Sequence, residues 1–406
     1  MKIALVSEHA SPLATLGGVD AGGQNVHVAG LARALAERGH EVTVYTRHDS
    51  DEQPSRVGMA PGVTVEHVPA GPARPVGRDR LLPYMGQFGG YLERRWAADP
   101  PDVVHAHYWM SGIAAHVAAR GVGLPVVQTF HALGSVKRRY LGSEDPSPSG
   151  RIRMEAALGR AAAAVIATAS DEVAELGRLG VSRHSISVVP CGTDLERFRP
   201  EGPTHPRADR PRLICVGRPV ERKGVDTVVR ALRRVPDAEL LVVGGPPPGE
   251  LEASAEIRRL RAVAREVGVA DRVEFVGGVG RGTVASLLRS ADVAVSVPWY
   301  EPFGLVVVEA MACGTPVVAS AVGGHLDTIV DNTTGVLVPP RDPMVLARRI
   351  RSLLADPLRR AAFGVAGADR AGCRYSWDRV VGETLSVYER VQPEKRGKVA
   401  AAGGAA

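Results

Sequence analysis

Apolar residues recur along this chain in two alternating rhythms: short unbroken runs, and longer stretches at helical spacing. Residues 2–7 form one continuous run, the pattern of a strand buried on both faces. Residues 25–37 then repeat apolar positions three and four apart, as an amphipathic helix does, and Arg38-Gly39-His40 ends it. Residues 41–47 read as a second strand and residues 48–59 as a polar loop. Further short strands are predicted over 63–68, 103–107, 126–131, 165–168 and 187–190, with helical segments between most of them. Strands of about five residues separated by helices imply βαβ crossovers, and therefore a parallel sheet.

Between 199 and 211 the apolar period is lost, and Pro, Gly, Thr, His and Arg take over. This stretch predicts a linker. A second series follows, with strands predicted over 213–216, 240–243, 273–276, 293–297, 317–319 and 335–338. The predicted fold is α/β: two doubly wound, Rossmann-like parallel-sheet domains, residues 1–198 and 212–376, joined by 199–211. Ligand is expected in the cleft between the C-terminal edges of their strands. A last helix covers residues 377–392, and the Lys/Gly/Ala tail 393–406 is expected to be disordered.

Composition narrows the class. Of 406 residues, 45% are hydrophobic and only 4% aromatic, which suits a globular Ala/Val/Leu core. The longest uncharged apolar stretch, 161–170, is far below the ~20 residues that span a bilayer, so no transmembrane segment is expected. The N-terminal run lacks a small-residue cleavage site, and secretion is not expected. The four cysteines, at 191, 215, 313 and 373, show no CxxC spacing. They fit a reduced, cytoplasmic chain better than a disulfide framework or a zinc site. The net charge of +6 comes mostly from Arg spread through helical segments, and Lys137-Arg138-Arg139 is the one tight cluster. Without aromatic residues interleaved among the cations, nucleic acid is not an expected partner. A phosphate-bearing ligand is.

Candidate chemistry concentrates where strands give way to helices. Glu301-Pro302-Phe303-Gly304-Leu305 opens an apolar helix that carries Glu309, so two acids flank a helix N-terminus. Such a terminus offers unpaired N–H groups and a positive dipole end to a phosphate. Arg218 and Lys223 lie in a loop after the first strand of the second domain, where a forked donor and a point charge suit a diphosphate. Gly17-Gly18-Val19-Asp20-Ala21-Gly22-Gly23-Gln24-Asn25 separates the first strand and helix, allowing close backbone approach to a ligand. It is longer than a dinucleotide-binding turn and lacks the GxGxxG pattern. His105 and His107 share a strand face, but no third ligand is evident nearby, so a metal is not expected. Of His105, His107 and His131, one is expected as a hydrogen-bonding group in the cleft and another as a satisfied core residue. Asp49-Ser50-Asp51 reads as a solvated turn. No Ser-His-Asp order or P-loop is present.

Read together, Arg218, Lys223 and 301–309 resemble the family-4 retaining glycosyltransferases of GT-B architecture. The rest of the signature runs through Ala310-Met311-Ala312-Cys313-Gly314-Thr315-Pro316 to Gly323-Gly324, and Pro190-Cys191-Gly192-Thr193-Asp194 with Phe198 also fits. The resemblance implies that Arg218 and Lys223 neutralise the diphosphate of a nucleotide-diphospho-sugar, a UDP-sugar being favoured. Backbone N–H groups of Phe303, Gly304 and Leu305 would contact sugar and phosphate, Glu309 the ribose and Glu301 the sugar hydroxyls. Gly23 would approach the donor, and His131 would lie over its sugar. The last helix would cross back onto the first domain. No metal and no other cofactor is implied.

In the N-terminal half, Gly22-Gly23-Gln24-Asn25-Val26, His105-x-His107-Tyr108-Trp109 and Thr129-x-His131 are similar to the mycothiol-pathway glycosyltransferases, which act on inositol 3-phosphate, and in part to sucrose-phosphate synthases. That similarity implies acceptor contacts from Asn25, Tyr108 and Arg151, with Arg78 near the place of an expected Lys. It departs at Ala132, where the pattern has Thr. The implied partners are a small-molecule donor and a small polar, phosphorylated acceptor, and homodimer formation is compatible with the sequence. A GT-B nucleotide-sugar epimerase and a non-catalytic sugar-nucleotide-binding regulator remain as alternatives.

Overall fold

The computed structural model describes residues 1–14 and 22–392. Gly17, Gly18 and the rest of the loop through Ala21, and the tail 393–406, lie outside the described residues. The first sheet contains β1 (Lys2–Val6), β2 (Glu41–Arg47), β3 (Arg56–Ala60), β4 (Val63–Val68), β5 (Val103–His107), β6 (Val126–Thr129), β7 (Ala164–Ala167) and β8 (Ile186–Val188). Their order is β3-β4-β2-β1-β5-β6-β7-β8, parallel except that β3 runs antiparallel to β4. The second sheet contains β9 (Arg212–Val216), β10 (Glu239–Val243), β11 (Val273–Gly277), β12 (Val293–Ser296), β13 (Val317–Ser320) and β14 (Val336–Val338). Its order is β11-β10-β9-β12-β13-β14, parallel throughout. Each sheet is doubly wound, and the two form a GT-B fold.

One expectation is corrected at the edge of the first sheet. Residues 56–60 are not loop but β3, which folds back on β4 through a turn at Pro61-Gly62. An antiparallel edge strand is half solvated and needs no apolar run. Arg-Val-Gly-Met-Ala therefore hides it from a search for buried strands. Residues 199–211 carry no helix or strand. They lie on the second domain, where Arg289 donates to the Pro203 carbonyl at 2.8 Å and Arg207 to that of Ser290 at 2.9 Å.

The last helix, Trp377–Val391, belongs to the first domain's core. Val380, Val381, Val387 and Tyr388 are buried with Ile3, Leu5, Val28 and Leu31. Its anchor is Trp377, whose indole occupies the space over two glycines. A β-carbon on Gly30 would come within 2.1 Å of that ring, and one on Gly192 within 2.5 Å. Only glycine leaves room for it. The four cysteines are unpaired, three of them buried. No helix among the described residues is long and apolar enough to cross a membrane.

Candidate active site

In each sheet the chain reverses direction beside its first strand, between β1 and β5 and between β9 and β12. Ligands bind at such switch points, outside the strands' C-terminal ends. Here both switch points open on one cavity of about 610 Å³ between the domains. Gly23, Asn25, Arg78, Tyr108, His131 and Arg151 line it from the first domain; Arg218, Lys223, Glu301, Phe303, Gly304, Leu305 and Glu309 line it from the second. The residues to which the sequence assigned donor or acceptor contacts are therefore brought together in space, whereas Gly17 and Gly18 lie outside the described residues and His105 and His107 do not line the cavity. The domains nearly touch there: a β-carbon on Gly23 would lie 3.3 Å from Leu305 Cδ1.

On the second-domain wall, Lys223 sits in the turn Glu221–Lys223 and donates to Glu301 Oε2. Burial alone would raise the Glu301 carboxyl, but Lys223, His325 and Arg222 together hold it below the ordinary carboxylate range. It is thus a carboxylate facing a cation that it already neutralises in part. Gly304 caps the helix Leu305–Ala312 in the left-handed region, with φ of 94°. Glu309 is buried on that helix and accepts from Arg281 Nη2 at 2.7 Å. Burial raises its carboxyl above the usual value despite Arg281. Arg281 was not read as a site residue in the sequence, because its partner lies on another element.

The first-domain wall is built on strained backbone. Tyr108 and His131, each just past a strand, have positive φ of 84° and 59°. A non-glycine residue in that region costs of order 1–3 kcal/mol and persists where the surroundings impose it. The effect is to turn both rings at the strand ends. Tyr108 is surrounded by cations: Arg151 lies 5.1 Å and Arg78 5.9 Å from its ring centroid. Arg151 is almost fully buried and donates to Glu155 Oε1 at 2.7 Å, Ser147 Oγ at 3.1 Å and the Ala132 carbonyl at 2.6 Å. Lys137, in the same wall, donates to Ser147 Oγ at 2.9 Å and pairs with Asp145 at 3.0 Å. Burial lowers its ammonium below the ordinary lysine range. Asn25 has a structural task as well: its Oδ1 accepts from Gly22 N at 2.9 Å, and its Nδ2 donates to the Ser11 carbonyl at 2.9 Å.

The histidines divide by place. His105 is a satisfied core residue, with Nδ1 2.7 Å from Tyr388 Oη and Nε2 2.8 Å from Thr129 Oγ1. His107 is buried behind the wall, and of these three only His131 reaches the cavity. A further residue of the cavity escaped the sequence reading. His9 lines the cavity just past β1, with its Nδ1 2.7 Å from Glu8 Oε1 and its ring edge-on to Tyr108 at 4.8 Å. Its position after a switch-point strand was the available signal.

The description "Glycosyltransferase Family 4" fits residues 21–197, and "Glycosyl transferases group 1" fits residues 201–370. D-inositol 3-phosphate glycosyltransferase of Xylanimonas cellulosilytica is 41% identical over 95% of this chain and 96% of its own length. The chain belongs to glycosyltransferase family 4. A second relative, D-inositol 3-phosphate glycosyltransferase 2 of Catenulispora acidiphila, is 38% identical over 96% of this chain and 95% of its own. Among solved structures, sucrose-phosphate synthase from Thermosynechococcus elongatus superposes with a TM-score of 0.89 at 35% identity, covering 96% of this chain and 98% of that one. The glycosyltransferase is therefore an enzyme of GT-B fold, similar over nearly its whole length to these proteins.

Proposed function

We propose that this glycosyltransferase moves a sugar from a nucleotide-diphospho-sugar, a UDP-sugar, to a small phosphorylated polyol of the inositol 3-phosphate kind, with retention and without a metal. The observation that carries the reading is the opposition, across one cavity, of two cationic walls. Arg218, Lys223 and the helix N-terminus after Gly304 form the donor wall; Arg78, Lys137 and Arg151 around Tyr108 form the acceptor wall. Two anionic substrates suit two such walls, and the names of the relatives favour a phosphorylated acceptor.

Transfer breaks the anomeric C–O bond, leaving a cationic sugar and a diphosphate that gains charge. Arg218, Lys223 and the helix N–H groups stabilise that leaving group, each donor being worth roughly 2.7–4 kcal/mol in comparable sites. The acceptor hydroxyl attacks the face the diphosphate leaves, and the departing phosphate takes its proton. Glu301 holds the sugar hydroxyls, Glu309 the ribose, and His131 covers the sugar from the first domain. Where Thr is replaced by Ala132, its carbonyl receives Arg151 and keeps that guanidinium against Tyr108. Four unpaired cysteines accord with a reduced, cytoplasmic setting.

The test is nucleotide release from UDP-, GDP- and ADP-sugars, with and without inositol 3-phosphate and in excess chelator, with the product's anomeric configuration read by NMR. Acceptor-dependent release from a UDP-sugar with retention is expected. Isomerisation without acceptor, binding without turnover, or loss of activity in chelator would overturn the reading.

A further inference from the structure

Behind the cavity wall three imidazoles converge from three elements: His27 on the helix Gly23–Glu37, His107 at the end of β5, and His131 beyond β6. One ring nitrogen of each lies within 4.8 Å of the other two. His107 Nδ1 and His131 Nε2 are 3.0 Å apart, and the ring centroids are separated by 5.7, 5.3 and 5.2 Å. Packing alone leaves this cluster unsatisfied. His27 Nδ1 and His107 Nε2 are both buried without a hydrogen-bond partner. Two orphaned ring nitrogens in one cluster are uncommon, because buried polar atoms are almost always paired.

The geometry suits a shared ion. Imidazoles bound to one tetrahedral zinc at ~2.0–2.1 Å have centroids roughly 5 Å apart and nitrogens a little over 3 Å apart. The donor set is also selective. Three neutral nitrogens with no carboxylate suit zinc, copper or nickel and exclude calcium and magnesium, which require oxygen. The outer shell is fixed as well: the His105 ring lies 4.1 Å from that of His107, and Trp377 closes the far side of His27 at 5.7 Å. His131 alone faces the cavity, so a fourth ligand can approach from there.

We propose that His27, His107 and His131 bind one divalent transition-metal ion of the zinc class, and that the bound ion inhibits transfer by engaging the ring of His131, the one ligand of the three that also lines the cleft. Metal binding does not rest on the transferase reading, since it is measured on the chain alone. The chelator-stripped protein is titrated with zinc by calorimetry and with cobalt by visible absorption. One equivalent per chain is expected, with the intense visible bands of tetrahedral cobalt. In His27→Gln and His27→Phe, affinity falls at least a hundredfold. In a zinc-buffered assay the parent loses at least tenfold of its turnover, and His27→Gln keeps its zinc-free rate. X-ray absorption of the zinc-loaded parent is independent of any variant and should show three imidazole nitrogens. Unchanged affinity in a folded His27 variant, the absence of saturable binding in the parent, or a first shell with fewer than three imidazoles would overturn the proposal. Binding with undiminished turnover would overturn its inhibitory part.

Discussion

The hydroxyl of Tyr388 lies 2.7 Å from Nδ1 of His105, joining the chain's last helix to strand β5, 283 residues earlier. Both groups are fully buried, and the other His105 nitrogen is taken by Thr129. Burial pushes the phenol well above its ordinary value, so it stays a neutral partner. Tyr388→Phe removes one side of the bond without altering the shape. The imidazole nitrogen is then stranded, at a cost of about 1–3 kcal/mol. Denaturant unfolding should show that loss, with turnover close to that of the parent, since neither residue lines the cavity.

The Lys223–Glu301 pair gives the sharpest test of the donor wall. Lys223→Ala removes the point charge and leaves a buried carboxylate without its principal counter-charge. Turnover should fall by ~10²–10³, as when one preorganised transition-state donor is lost. The Glu301 carboxyl, now held down less, should also titrate at higher pH. Adding Glu301→Gln to Lys223→Ala should cost less than the sum of the two single changes, because the residues share one interaction. Steady-state kinetics on the three variants decides it; additive losses would mean that the two act independently.

A methyl group placed on Gly304 probes the helix entry. At φ of 94° a side chain is strained, and the new β-carbon would lie 2.6 Å from His325 Cδ2 and 2.9 Å from its Nε2. His325 cannot retreat easily, being fully buried with Nδ1 3.0 Å from the Ser320 carbonyl. The backbone must then shift where its N–H groups are proposed to face the donor. Gly304→Ala should raise the KM for nucleotide-sugar at least tenfold with little change in acceptor KM, measured with each substrate varied in turn. An equal rise in both would place the damage elsewhere.

How far these features could be read from sequence depended on the range of the interaction. The strands of both sheets, and the helix Trp377–Val391, appear as local apolar runs and periods. The second-domain wall of the cavity is legible too, since Glu301 and Glu309 share one segment and Arg218 lies close to Lys223. β3 was missed because an edge strand needs no apolar signal. Arg281, Glu8 with His9, and His27 were missed for another reason. Their meaning comes from partners on other elements, and spacing along the chain carries no trace of it. The His105-x-His107 spacing has the form of a metal pair, but the sequence offers no third ligand, and the structure points one ring to Tyr388 and the other to His131.

The buried histidines also set how the fold responds to acid. Burial lowers His27 from 6.5 to about 4 and His105 to about 3, with His107 and His131 held well below 6.5. As pH falls below 6.5 the unfolded chain takes up protons at these positions and the folded chain does not. Stability contributed by keeping them neutral is complete above 6.5 and is lost as pH falls toward the folded values. Glu172 acts in the opposite sense. Burial raises its carboxyl from 4.5 to about 7, although Thr168 donates to it through both N and Oγ1. Between those values the folded chain holds a proton that the unfolded chain releases, so acidification there favours folding. Burial also lowers His40, His116 and His325 and raises Glu155 and Glu309, so seven imidazoles oppose three carboxyls, and the imidazoles win. Denaturant midpoints should therefore fall steadily between about pH 6.5 and pH 4, where each unmatched proton is worth up to ~1.4 kcal/mol per pH unit. Glu172→Gln removes one of the opposing protons and should make the decline steeper. A midpoint that stays flat or rises on acidification would mean that these imidazoles reach solvent, and that the cluster behind His131 is not closed.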